Sequence, residues 1–251
     1  MYFNYFRRPF MSIAKTVQIC IESIPAGTIF SYQELPIYAK SPCAVIKAVS
    51  RLVKEKRLER FSKGKYYVPK TGLFGQYKPS DSELLRSILY KGGRLRGYVT
   101  GLSLFNQLGL TTQVPRTVTL AINGSRQKKE FGTIKVKTLV TRVPIEEKDV
   151  PLLQYLDVLK EIKSIPDSDI NLSLKKLQKK IFELSTKEQE RLLFLAEQYY
   201  GPQVRALIGL LFSSLNLFVP EGLIRSLNPT TRYKLNLNQQ DWPMVGEWNI
   251  H

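Results

Sequence analysis

Residues 44–69 read AVIKAVSRLVKEKRLERFSKGKYYVP, and the two halves of this stretch follow different periods. In the first half Val45, Ile46, Val49, Leu52 and Val53 recur at helical spacing, which predicts one apolar stripe turned to a core. Lys47, Ser50, Arg51 and Lys54 fall on the opposite face. Ser41-Pro42 marks the helix start. Ser41 is the candidate N-cap, and Pro42 sits in the first turn, where its missing N–H would have had no intrahelical partner. After a turn at Glu55-Lys56-Arg57, residues 58–62 and 65–68 are β-prone runs joined by Lys63-Gly64, the pattern of a hairpin.

The residues upstream complete the motif. Ile13, Val17, Cys20, Ile21 and Ile24 predict a first helix, stopped by Pro25 and Gly27. Ile29-Phe30 is a short extended piece. Ser31 and Glu34 have capping-box spacing and open a brief second helix over 32–38, with Pro36 inside it. Helix, strand, helix, helix, hairpin is the order of a winged helix-turn-helix. A third helix with an apolar inner face and a basic outer face can lie in a major groove, with Arg51 and Lys47 toward base edges. The tip Lys63-Gly64-Lys65 puts two cations on a thin loop able to neutralise phosphates.

Charge supports a polyanionic partner. The 251 residues hold 38 Lys and Arg against 21 Asp and Glu, a net charge of +17. Residues 1–80 carry 14 basic and 4 acidic side chains, residues 81–165 carry 14 and 8, and residues 166–251 carry 10 and 9. The basic character therefore fades along the chain. Pro- and Gly-rich segments near 69–80 and near 164–167 predict three parts: a winged helix over 1–70, an α+β domain over 80–165, and a helical region over 166–251 with a packed tail. The fold class expected is α+β.

In the middle part, residues 117–122 and 132–141 read as strands. Arg126, Lys128 and Lys129 cluster in their connection, either as a second nucleic-acid contact or as a solvated hairpin tip. Residues 202–217 read as a helix apolar nearly all round, hence central to a core or an interface. Lys175, Lys176, Lys179 and Lys180 form a basic, solvated ridge on an earlier helix expected over 172–184. Trp242 and Trp248 predict that the polar tail packs down on the protein.

Several activities are disfavoured. The single histidine, His251, leaves no Ser-His-Asp or Cys-His arrangement and no His-ligated metal. Cys20 and Cys43 are too few for a zinc site or a disulfide framework, and both read as buried free thiols of a reducing compartment. The apolar, uncharged run at residues 206–219 is too short to span a bilayer, so no membrane partner and a cytoplasmic location are expected. Arg7-Arg8 is not followed by a clean apolar run of the kind a signal needs. Gly124-Ser125 and Asp167-Ser168-Asp169 could form a nucleotidyltransferase site only by converging in space. Helix capping is the simpler role for the aspartates, and no enzyme and no cofactor are expected.

The stretch 44–69 and the block GYVTGLSLFNQLGLTTQVP at 97–115 resemble AbiEi-type abortive-infection antitoxins. These blocks and their spacing extend the resemblance over about the first 140 residues. That resemblance implies a repressor bound to double-stranded DNA at its own promoter. It also implies the antitoxin role of a type IV pair whose partner is a nucleotidyltransferase toxin, with no obligatory contact between the two. Carried over position by position, it assigns DNA contact to Ser41, Lys47, Ser50, Arg51 and Lys54 in the helix and to Arg60, Lys63 and Lys65 in the wing. The aromatic leader over residues 1–10 lies outside the resemblance, and Met11 offers a second start. The alternative is a winged-helix module for a protein or RNA partner, with no antitoxin activity.

Overall fold

Ser12 accepts a hydrogen bond from the Lys15 N–H and starts α1 (Ile13–Glu22), which buries Val17 and Ile21. The computed structural model describes residues 11–72, 75–131 and 134–251; the leader and Arg7-Arg8 lie outside the described residues. Strand β1 (Ile29–Ser31) follows, then a single 3-10 turn over Tyr32–Glu34 in place of the expected second helix. Pro36 explains the difference: it disfavours helical geometry at Leu35, which is extended. Helix α2 (Pro42–Lys54) begins where expected, with Ser41 at the N-cap, although the Ser41 hydroxyl makes no capping hydrogen bond.

Strands β2 (Glu59–Ser62) and β3 (Lys65–Tyr67) form an antiparallel hairpin, and β1 pairs with β3, giving the order β1-β3-β2. Gly64 takes φ +75° at the turn, a conformation that L side chains rarely adopt. One face of this sheet supplies Phe30 and Tyr66 to a core with Val17, Val45, Val49 and Leu58. The hairpin β4 (Lys70–Gly72) and β5 (Gly75–Tyr77) occupies the first expected linker. Helix α3 (Asp81–Leu89), capped by Ser80, packs on β1. Its Glu83 carboxylate accepts the Ile29 N–H at 2.7 Å, and Arg86 donates to the Ile29 carbonyl at 2.9 Å while holding Glu83 at 2.6 Å. Those bonds satisfy an edge strand and tie α3 to the first unit, so the chain divides between Arg94 and Leu95 and not near residues 69–80. Short strands β6 (Tyr90–Lys91) and β7 (Arg94–Leu95) mark the division.

The second unit, Leu95–His251, is built on β8 (Gly97–Thr100), α4 (Leu102–Gln107), β9 (Thr117–Ile122), β10 (Lys128–Phe131) and β11 (Ile134–Val140). The sheet order is β10-β11-β9-β8, with β11 parallel to β9 and the other pairs antiparallel. Residues 128–131, read from sequence as part of a loop, form the edge strand beside β11. Their Lys-Lys-Glu-Phe alternation carries too little apolar signal to announce a strand.

Helices α5 (Val150–Lys160), α6 (Ile170–Phe182), α7 (Thr186–Tyr199), α8 (Pro202–Ser214) and α9 (Glu221–Arg225) follow. They share one core with the sheet, running from Tyr98 to Ile250. The second expected boundary therefore does not separate two bodies. Gln113 donates to Asp167 across it at 2.9 Å, and Lys176 donates to the Gly109 carbonyl at 2.6 Å. Lys175 likewise leaves the supposed solvated ridge to pair with Asp241 at 2.8 Å. The fold class is α+β, as expected. Among the described residues no helix is long and apolar enough to cross a membrane.

Helix α8 is central, with Ala206, Leu207, Ile208, Leu210 and Leu211 all inaccessible. Both tail tryptophans go further inside than a surface contact: Trp242 is 1% exposed and Trp248 4%. The Trp248 ring lies against Gly209, where an added Cβ would fall 2.1 Å from ring carbon Cζ3. Alanine at this helical position gains about 1 kcal/mol of helix propensity, yet overpacking of a closed core costs about 1–3 kcal/mol. Gly209→Ala is therefore expected to lower stability on balance, read as a reduced midpoint of urea unfolding.

Candidate nucleic-acid interface

Helix α2 presents two faces. Val45 and Val49 are fully buried and Leu52 nearly so, while Cys43, Ile46, Lys47, Ser50, Arg51 and Lys54 are exposed at i, i+3, i+4, i+7, i+8 and i+11. Those six form one straight stripe along the helix. Four of them are the polar residues picked out from the sequence. Cys43 and Ile46 were assigned to the interior and stand on the outer stripe instead. Counting turns from Val45 would have placed them there, because position 46 sits 100° away from the buried line. Cys43 is thus an exposed thiol and Cys20 a half-buried one.

Arg51 pairs with Glu55 at 2.9 Å, with 76% of its side chain accessible. An exposed i,i+4 pair of this kind contributes only about 0.3–0.5 kcal/mol, so the guanidinium can exchange it for a phosphate or a base edge at little cost. Lys47, Ser50 and Lys54 are likewise exposed. Ser41 stands half-buried at the start of the stripe.

The hairpin divides the three wing residues. Lys63 is exposed at the turn beside Gly64. Arg60 is exposed on the edge strand β2, where its Nε donates to the Ser62 carbonyl at 3.4 Å. Lys65 departs from the expectation of a tip cation. It lies on the central strand, opposite Ser31 on one side and Ser62 on the other. Its side chain is half-buried, and its ammonium donates to the Ser87 carbonyl in α3. The turn is Lys63-Gly64, and Lys65 lies on the strand after it.

Tyrosines brace the hairpin. The Tyr32 and Tyr66 hydroxyls bond one another, and Tyr67 donates to Glu59. Burial, reinforced by these bonds, pushes both Tyr32 and Tyr67 up to about 12. Uncharged phenols thus tie β3 to the Tyr32–Glu34 turn and to β2. The unit that carries it holds 17 Lys and Arg against 6 Asp and Glu.

The residues weighed for catalysis have structural partners. Asp169 caps α6, accepting the Leu172 N–H at 2.8 Å, and Asp167 accepts from Gln113. Ser125 Oγ accepts from Gln127 at 2.8 Å. Among the described residues no group of three or more His, Cys, Asp or Glu could hold a metal ion. One half-buried carboxylate escaped the sequence reading. Asp157 in α5 accepts from Thr100 at 2.7 Å and from Tyr200 at 3.0 Å. Nothing in the sequence marks it, because its partners come from β8 and from the end of α7.

Residues 16–180 match a family of unknown function, DUF6088. The chain belongs to that family. None of the curated proteins matches this DUF6088 chain. Among solved structures, it is similar to a crystal structure of the RV2827C protein from Mycobacterium tuberculosis. The identity is 15% and the TM-score 0.49, over 94% of this chain and 89% of that one.

Two outcomes follow from the geometry. Arg51→Ala should change the unfolding free energy by no more than about 0.5 kcal/mol, measured by urea denaturation. A larger loss would mean that the Arg51–Glu55 pair supports the fold. For Asp157, burial raises the carboxyl above its ordinary value, and Thr100, Tyr200, Lys160 and Tyr98 pull it only partly back. A carboxyl raised on folding binds its proton more tightly in the folded state. Its contribution is therefore fully present below the ordinary range, about 4, and is lost as the pH rises through the folded value. Wild-type stability should fall relative to Asp157→Asn as the pH rises from about 4 to 7; a pH-independent difference would show an unshifted carboxyl.

Proposed function

We propose that the N-terminal unit is a winged helix-turn-helix that binds double-stranded DNA, with α2 as the groove-reading helix and the β2–β3 turn as the wing. On this reading the chain is a cytoplasmic transcriptional repressor acting at its own promoter. The observation that carries it is the exposed stripe Lys47, Ser50, Arg51 and Lys54, set on a helix whose other side is locked into a core. Lys63 extends the cationic surface at the hairpin turn, and Arg60 adds to it from the edge strand. Lys65 is left out of the contact set, since its ammonium is already bonded to Ser87. The antitoxin role in a type IV pair, opposite a nucleotidyltransferase toxin, rests on the resemblance of residues 44–69 and 97–115 to AbiEi-type chains.

The test is a gel shift with the DNA upstream of the chain's own gene, run against random duplex across a salt series. Arg51→Ala should cost about 1–3 kcal/mol on the cognate site and much less on random DNA, as expected for a residue that reads a base edge. Lys63→Ala should weaken both duplexes alike and reduce the salt slope by about one. Equal loss on both duplexes for Arg51→Ala would remove its base-reading role. Absence of any preference for the upstream DNA at physiological salt would overturn the repressor reading in favour of a protein or RNA partner. The antitoxin role is tested separately, by co-expression with the neighbouring gene product and scoring of growth rescue.

A further inference from the structure

Within the second unit, the start of α8 opens on a cleft of about 550 Å³, a volume typical of small-molecule sites. Gly201 is the N-cap and Pro202 lies in the first turn, with no side chain capping the helix. Gly201, Gln203 and Val204 form part of the wall. Pro202 has no N–H and the Val204 N–H donates to the Gly201 carbonyl at 3.0 Å, so this helix start offers the Gln203 N–H and the positive end of the helix dipole. Arg142 and Lys160 line the same cleft and are exposed. A helix start and two cations in one cleft favour a compact anion with several acceptor oxygens.

The remaining walls favour an aromatic body on that anion. Tyr199, Tyr200 and Tyr233 all line the cleft, and Tyr199 is 42% exposed. Tyr200 and Tyr233 are buried in the wall, so Tyr199 is the ring that offers a π face to a planar partner. Tyr233 provides an independent indication of a ligand. It is 7% exposed, and its hydroxyl is buried with no hydrogen-bond partner among the described residues. A buried hydroxyl without a partner carries a desolvation penalty that a polar ligand can relieve. Asp157, on the same wall, adds a carboxylate able to accept from a sugar hydroxyl or an exocyclic amine. The cleft also shares Val140, Thr141, Asp157 and Lys160 with a cavity of about 350 Å³ that reaches Lys137 on β11.

We propose that this cleft binds a nucleoside monophosphate. Arg142, Lys160 and the start of α8 hold the phosphate, and the base lies on Tyr199. The site belongs to the second unit and does not depend on the duplex-binding reading of the first. Isothermal titration of the full chain with AMP, GMP, CMP and UMP, alongside adenosine and inorganic phosphate, tests it. At least one monophosphate should bind with 1:1 stoichiometry and micromolar affinity, with adenosine and inorganic phosphate at least about tenfold weaker. Arg142→Gln, a surface change that leaves the core intact, should weaken that nucleotide by about tenfold or more. Tyr233→Phe, which keeps the ring, should weaken it as well. Arg51→Ala, in the other unit, should leave its affinity unchanged. The proposal is overturned if no monophosphate saturates, if inorganic phosphate binds equally well, or if Arg142→Gln binds like wild type.

Discussion

The burial of Val45, Val49 and Leu52 against α1 and the β1-β3-β2 sheet governs what the first unit can present. Side chains on a helix are fixed in direction once one face is committed, so locking this line inward leaves the Lys47–Arg51–Lys54 face in water. Each buried aliphatic side chain contributes about 1.5–3 kcal/mol, whereas the exposed Arg51–Glu55 pair contributes a fraction of one. The apolar contacts therefore set the orientation of the cations, and the cations remain available to a partner. The hairpin follows the same logic, with Tyr66 in the core and Lys63 at the solvent end.

Periodicity made much of this legible in the sequence. The helices α1 and α2, the hairpin, β9 and the nearly all-apolar α8 stand where the spacing of Val, Ile and Leu placed them. The failures have identifiable physical causes. Ile46 was counted as interior on hydrophobicity alone, although its angular position put it with the lysines. Lys65 was counted as a tip cation by its nearness to Gly64, whereas strand pairing holds it one residue inside the turn, under α3. The unit boundary was missed because Pro and Gly near residues 69–80 mark turns of a small hairpin, and because the bonds of Glu83 and Arg86 to Ile29 join segments more than 50 residues apart.

The second unit was harder to foresee for a related reason. Its sheet places β11 parallel to β9, with β10 outside, an arrangement fixed by non-local pairing. The Asp157 cluster joins β8, α5 and the end of α7. Each member is an ordinary residue in its own segment and acquires significance only by convergence. The same holds for the Arg142, Lys160 and Tyr233 constellation beside α8. Resemblance at the level of short blocks reached residues 44–69 and 97–115, and it could not register groups gathered from four elements.

The seating of Trp248 on Gly209 bears on the order in which the molecule forms. The central helix of the second core is covered partly by a ring synthesised about 40 residues later, and the Leu235 N–H bonds to the carbonyl of His251. During translation that core stays open until residues 248–251 have left the ribosome. The first unit holds its own apolar cluster within residues 13–68 and can close while the rest is still being made. A nascent chain therefore displays its cationic helix before it can bury the tryptophan-capped core.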